Sequence, residues 1–147
     1  TMSMNLFFQA FAPKDLEAMR EDPSLIDGWV EGESRCTASI DVETAWDVLK
    51  RILDDTGFHS DGVAGDVLSN GCEFVSPALV REQAKALSTW THAAVLEALR
   101  AIDEDEGLYH QAVYQDQEDD LLAQFDMLSA FFREAAARGD GALYYAM

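Results

Sequence analysis

Asn5–Ala12 reads NLFFQAFA, and the fold turns on the fact that neither side of this stretch is polar. In an extended chain the side chains alternate, so Leu6, Phe8 and Ala10 point one way and Phe7, Gln9 and Phe11 the other. A strand that is apolar on both sides belongs inside a sheet covered by helices on each face. The far end of the chain carries the same signature. Ala142–Met147 (ALYYAM) lacks a polar face, places Tyr144 and Tyr145 on opposite sides, and is expected to pair beside the first strand. The two terminal strands therefore predict an α+β domain: a small apolar mixed sheet, with these strands central and helices on both faces, forming a three-layer sandwich.

The segments between them supply the covering layers. Pro13 pre-sets a helical turn, and Leu16 and Met19 give the following helix, ending near Arg20, its apolar stripe. Residues 21–34 contain Pro23, Gly28 and Gly32 and read as loop with one helical turn at Leu25 and Ile26. Arg35–Ile40 alternates and suits a short edge strand. Asp41 offers an N-cap to a helix through about Asp55, in which Val42, Trp46, Leu49 and Leu53 recur at helical intervals, and Gly57 closes it. Residues 58–71, with three of the nine glycines, read as a long surface loop. A short strand at Cys72–Val75 precedes Ser76-Pro77, an N-cap and first-turn proline for a helix buried through Val80, Ala84 and Leu87. A further helix starts near Thr91, with Val95, Leu99 and Ile102 inward. Leu108–Gln115 alternates weakly and reads as strand or ordered loop. The longest helix runs to Arg138, with Leu121, Phe125, Leu128, Phe132 and Ala135 inward, and Gly139 ends it.

Composition agrees with one packed domain over residues 2–147. The 147-residue chain is 48% hydrophobic and has neither an internal repeat nor a dividing linker. At this size folding buries about 70% of the surface of the unfolded chain. No segment reads as a secretion signal or membrane span, and Cys36 and Cys72 stand in unrelated segments without metal-ligand spacing. A cytoplasmic protein with two free thiols is expected. The net charge of −18, from 28 acids against 10 bases, argues against nucleic acid and anionic membranes, because both require a basic face. It favours solubility, a salt-rich setting, or a basic protein partner.

Three segments, TAWDVLKRIL (44–53), FVSPALVREQAKAL (74–87) and FFREAAARGDGALYYAM (131–147), join the N-terminal MSMNLFFQAF (2–11) in a recognisable order. Together they resemble the YfbM-like family of small bacterial proteins, a domain of unknown function. The resemblance implies a three-layer arrangement of helices around a small sheet and implies no activity. The family pattern places a basic residue in the strand before the Ser-Pro helix start, where this chain has Glu73; a site depending on that base is not carried over.

Candidate chemistry is sparse. Between Glu97 and Asp126 ten acids face Arg100 alone, and the densest are Asp103, Glu104, Asp105, Glu106, Asp116, Glu118, Asp119 and Asp120. Such a concentration suits an acidic face that steers a basic partner, although its ordinary reading is a solvated surface that maintains solubility. It lacks the alternating ligands and central glycine of a calcium loop. The first expectation is thus a non-enzymatic interaction protein, neutralising a basic partner such as a toxin. The alternative is a small-molecule binder or enzyme with a pocket near residues 58–71, where His59, Asp61 and Asp66 form a second polar cluster able to exchange protons. The ordinary reading of that cluster is a wet loop. His92 reads as a surface imidazole, and so does His110, which the neighbouring carboxylates would make pH-sensitive. Neither cysteine has an adjacent base, no nucleophile elbow or phosphate loop is present, and no cofactor or metal is expected. Trp29, Trp46 and Trp90 read as core.

Overall fold

The computed structural model describes residues 3–147, so Met2, where the expected domain begins, lies outside the described residues. Five strands form one open sheet: β1 (Leu6–Phe11), β2 (Ala38–Asp41), β3 (Gly62–Ala64), β4 (Cys72–Val75) and β5 (Gly141–Ala146), in the order β2-β1-β5-β4-β3. The terminal strands are neighbours and β5 is central. Every pairing is antiparallel, which corrects the expected mixed sheet. The helical connections from β1 to β2 and from β4 to β5 join antiparallel neighbours, and the one from β2 to β3 joins opposite edges that do not pair, so no parallel pair is required.

Alternation along β1 and β5 sorts the core into two layers. Leu6, Phe8 and Ala10, with Ala142 and Tyr144, face α2 (Trp46–Ile52), α3 (Pro77–Leu87), α4 (His92–Arg100), α5 (Gln111–Asp116) and α6 (Glu118–Arg138). Phe11, Leu143 and Tyr145 face α1 (Pro13–Glu21), the residues around Val30, and the segment Ala64–Cys72. The architecture is therefore α+β with cover on both faces. Contact between α1 and the sheet is close: a methyl group added at Gly141 would collide with Leu16 and press on the Val75 carbonyl.

Helix ends follow their capping chemistry. The Ser76 hydroxyl accepts the Leu79 N–H (3.2 Å), the Thr91 hydroxyl accepts the Ala94 N–H (3.1 Å), and Gly139 turns left-handed (φ +77°) to close α6.

Four local expectations change. The helix expected from Asp41 begins as a 3-10 turn at Glu43–Ala45 and ends at Ile52, after which Asp54 and Asp55 adopt positive φ. Residues Gly28–Gly32 form a π-helical turn rather than a loop. Leu108–Gln115 is neither strand nor loop throughout but enters α5 at Gln111, with buried Gln111 and Tyr114 three residues apart on one helical face. The 58–71 segment is no simple surface loop. It contributes β3 and buries Phe58, Val67 and Leu68, anchors hidden among its polar and glycine residues.

Candidate functional site

The acids of region 97–126 gather where α4, α5 and α6 meet. Asp103 uses its Oδ1 to accept the Asp105 N–H (2.9 Å), folding the turn that exposes Glu104 and Asp105. Glu118, Asp119 and Asp120 form the first turn of α6, where carboxylates complement the helix dipole. Asp116 and these three acids line an open hollow of about 660 Å³. The nearby bases are already engaged. Arg100 holds Glu118 through two hydrogen bonds of 2.7 Å, Arg51 pairs with Glu106, and His92 Nε2 meets Asp126 at 2.7 Å. Among the described residues, Asp103, Glu104, Asp105, Asp116, Asp119 and Asp120 have no cation within 4 Å.

The acidic field extends beyond the residues read from sequence. Tyr114, buried against Thr44 (2.7 Å between hydroxyls), has its pKa raised by burial and then by the carboxylates of Glu43, Asp120 and Asp41. Asp41 and Glu43 lie far upstream of the acid run, so no local count of charge reveals them. Gln124 holds Glu43 in place, its Nε2 donating to Oε2 at 2.6 Å.

The second cluster does not assemble. Asp61 accepts from Arg20 Nη1 (2.9 Å) and from the Ser76 N–H (3.2 and 3.3 Å). Burial opposes its ionisation, but these hydrogen bonds and the Arg20 charge outweigh it and hold the carboxyl below its usual range. His59 is exposed, with its backbone N–H bound to Gln83 Oε1 (3.0 Å). Asp66 lies beyond β3, lining shallow hollows with Asp27, Gly65 and Val67. His110 is also exposed and tilts over Tyr109, 4.3 Å between ring centroids. Among the described residues no group of three or more His, Cys, Asp or Glu side chains is placed to hold a metal ion.

A cavity of about 310 Å³ does open at the end of the sheet beside residues 63–71. None of His59, Asp61 and Asp66 lines it; Glu73, Tyr144, Tyr145, Cys72, Asn70 and Val63 do. It forms because β4 begins at Cys72 while β5 continues past Tyr144, leaving Tyr145 and Ala146 without a β4 partner. Asn70 bridges part of the gap, its Nδ2 donating to the Ala146 carbonyl (3.0 Å). The Tyr144 hydroxyl donates to the Phe58 carbonyl (2.7 Å), and its pKa is raised by burial and by the adjacent Glu73. Burial pushes the Cys72 thiol up to about 11, which keeps it protonated.

This architecture and chain length match a known group. A family model described as a domain of unknown function, DUF1877, matches residues 2–145. The chain belongs to this family. Its fold is similar to the crystal structure of YfbM, a protein of unknown function from Escherichia coli, with a TM-score of 0.66 over 97% of this chain and 99% of that one. Identity is 12%, so the likeness concerns the fold. No functionally curated protein matches the chain. Among the described residues no helix is long and apolar enough to cross a membrane. The acidic corner was legible in the sequence as a run of charge; of the cavity only its place beside residues 58–71 was expected, and not its lining, since its walls also come from Leu6, Cys72, Glu73 and residues 144–146.

Proposed function

We propose that this chain is a non-enzymatic interaction protein that receives a basic protein on its acidic corner, formed by residues 103–106, 116 and 118–120 with Asp41 and Glu43. One observation carries the reading: Arg51 and Arg100, which reach this corner, are both consumed in ion pairs, and among the described residues six of the predicted acids are exposed with no cation within 4 Å. A face of one sign steers an oppositely charged partner and speeds its encounter. A basic toxin is a fitting partner, because an acidic cover would shield its active surface. The free thiols of Cys36 and Cys72 support action in the reducing cytoplasm.

The test is affinity capture from lysate of the source cell, comparing the native chain with a variant carrying Asp103→Asn, Glu104→Gln, Asp105→Asn, Asp116→Asn, Asp119→Asn and Asp120→Asn. The native chain retains a basic protein that is released as salt rises, and the variant does not retain it. Identical recoveries from both would sink the reading. A second reading, small-molecule binding, is favoured by the position of Glu73 and Tyr144 in the sheet-end cavity.

A further inference from the structure

The sheet-end cavity has a chemical bias. Glu73 sits on β4 directly opposite Tyr144 of β5 and Val63 of β3, half-buried, on the face that carries Phe8. Its carboxylate accepts from the Ser60 hydroxyl at Oε1 (2.8 Å) and lies beside the Tyr144 hydroxyl, fewer partners than the roughly four an ionised carboxylate accepts. Among the described residues no Lys, Arg or His stands within 4 Å of it. Arg20 lies on the other face, over the Phe74 ring and engaged with Asp61.

Two side-chain donors around the cavity are committed elsewhere: Asn70 donates to Ala146 and the Tyr144 hydroxyl to Phe58, while the Tyr145 hydroxyl accepts from Gln9 Nε2 (3.4 Å) on the other face of the sheet. What remains for a ligand is a carboxylate with acceptor capacity to spare, tyrosine side chains, and apolar surface from Leu6, Val63 and Ala64. An anion would meet Glu73 without a compensating cation. A neutral molecule would leave its charge unpaired. A compact cation with N–H donors satisfies both the charge and the acceptors, and tyrosine rings favour cations at their faces.

We infer that the cavity is a binding site for a small organic amine, an ammonium group on a compact apolar body, with Glu73 as its counter-ion. The cavity's volume lies at the lower end of the roughly 300–1,000 Å³ span of small-ligand sites, which restricts the body to about one ring or a short alkyl chain. This inference rests on the small-molecule reading of the cavity and is independent of the acidic corner.

Phenethylamine, its neutral isostere 2-phenylethanol, and methylammonium as a bare charge are titrated into the 15N-labelled chain and followed by amide chemical shifts. Phenethylamine moves the amides of residues 63–73 and 144–146, binds at least about tenfold more tightly than the alcohol, and loses about tenfold or more in Glu73→Gln, as expected for a charged hydrogen-bonded contact. Val63→Lys, at an exposed position facing Glu73, supplies an internal ammonium and competes with the amine even if Glu73→Gln folds poorly. Equal binding of alcohol and amine, unaltered by either substitution, would overturn the amine inference while leaving the cavity as a ligand site. If no probe moves these amides, or if the amines move only residues 103–120 as methylammonium does, the cavity reading falls as well.

Discussion

Phe7 and Phe8 are adjacent in one strand and sit in contrasting surroundings. Phe8 is fully buried, with its ring centroid 5.1–5.9 Å from those of Tyr144, Phe58, Phe131 and Phe132, under a continuous layer of helices. Phe7 is half-buried and stacks on Tyr145 (5.4 Å) in a thinner layer made from α1, two short helical turns and the β3 hairpin. Polar ties reinforce that second layer. Gln9 Nε2 donates to the Val30 carbonyl (3.3 Å), Asp27 Oδ1 accepts the Leu68 N–H (2.9 Å), and Arg35 grips Asp15 while lying over Trp29. Regular helices satisfy their own backbone and can cohere through apolar bulk. Irregular chain cannot, so side chains must supply the missing partners.

The most damaging way to probe this contrast is Phe8→Ala. It removes the ring on which four others converge, and the expected loss is about 3–5 kcal/mol in urea-denaturation free energy. Met19→Ala removes a fully buried side chain of the thin layer. Its cost is expected near the lower end for such a truncation, about 2–3 kcal/mol, because short turns close over a void more readily than packed helices do. A larger loss for Met19→Ala than for Phe8→Ala would reverse the assignment of rigid and yielding faces.

The same contrast explains what could be read from sequence. The helix-covered face is periodic: Val80 and Leu87, Val95 and Leu99, and Leu121, Phe125, Leu128, Phe132 and Ala135 are all buried as their spacing requires. The thin face has no period. Val67 and Leu68 are anchors dispersed among Gly, Ser, Asp and Asn, so composition pointed to a loop where the structure has a strand and core residues. Most of the acidic corner was visible because residues 103–106, 116 and 118–120 are close in sequence, whereas Asp41 and Glu43 join it only through the fold. Glu73 was visible only as a departure from the family pattern, since its neighbours Ser60, Val63 and Tyr144 are assembled by strand pairing.

Where the two layers join, Gln83 of α3 is fully buried and its Oε1 accepts the N–H groups of both Gly57 (2.8 Å) and His59 (3.0 Å). Gln83→Met keeps the volume and strands those donors, with an expected cost of about 2 kcal/mol. Increased amide hydrogen exchange should be confined to residues 57–61. Exchange that rises evenly across the chain would mean that Gln83 supports the helix layer rather than the junction.

The smallest effect concerns Asp61, which ties α1 to the N-terminus of α3 through Arg20 and the Ser76 N–H. Its pKa is depressed in the folded chain, so its contribution to stability is present above the unfolded value of about 4 and is lost as pH falls through the lower folded value. Asp61→Asn cannot titrate and leaves Arg20 without its counter-charge. The native chain should therefore be the more stable of the two at pH 7, and the gap in urea midpoint should narrow below about pH 4. Other carboxylates protonate in the same range, but they do so in both proteins and cancel in the difference. A gap that stays constant down to pH 2 would show that Asp61 acts through shape alone, and that the thin face is held here by packing after all.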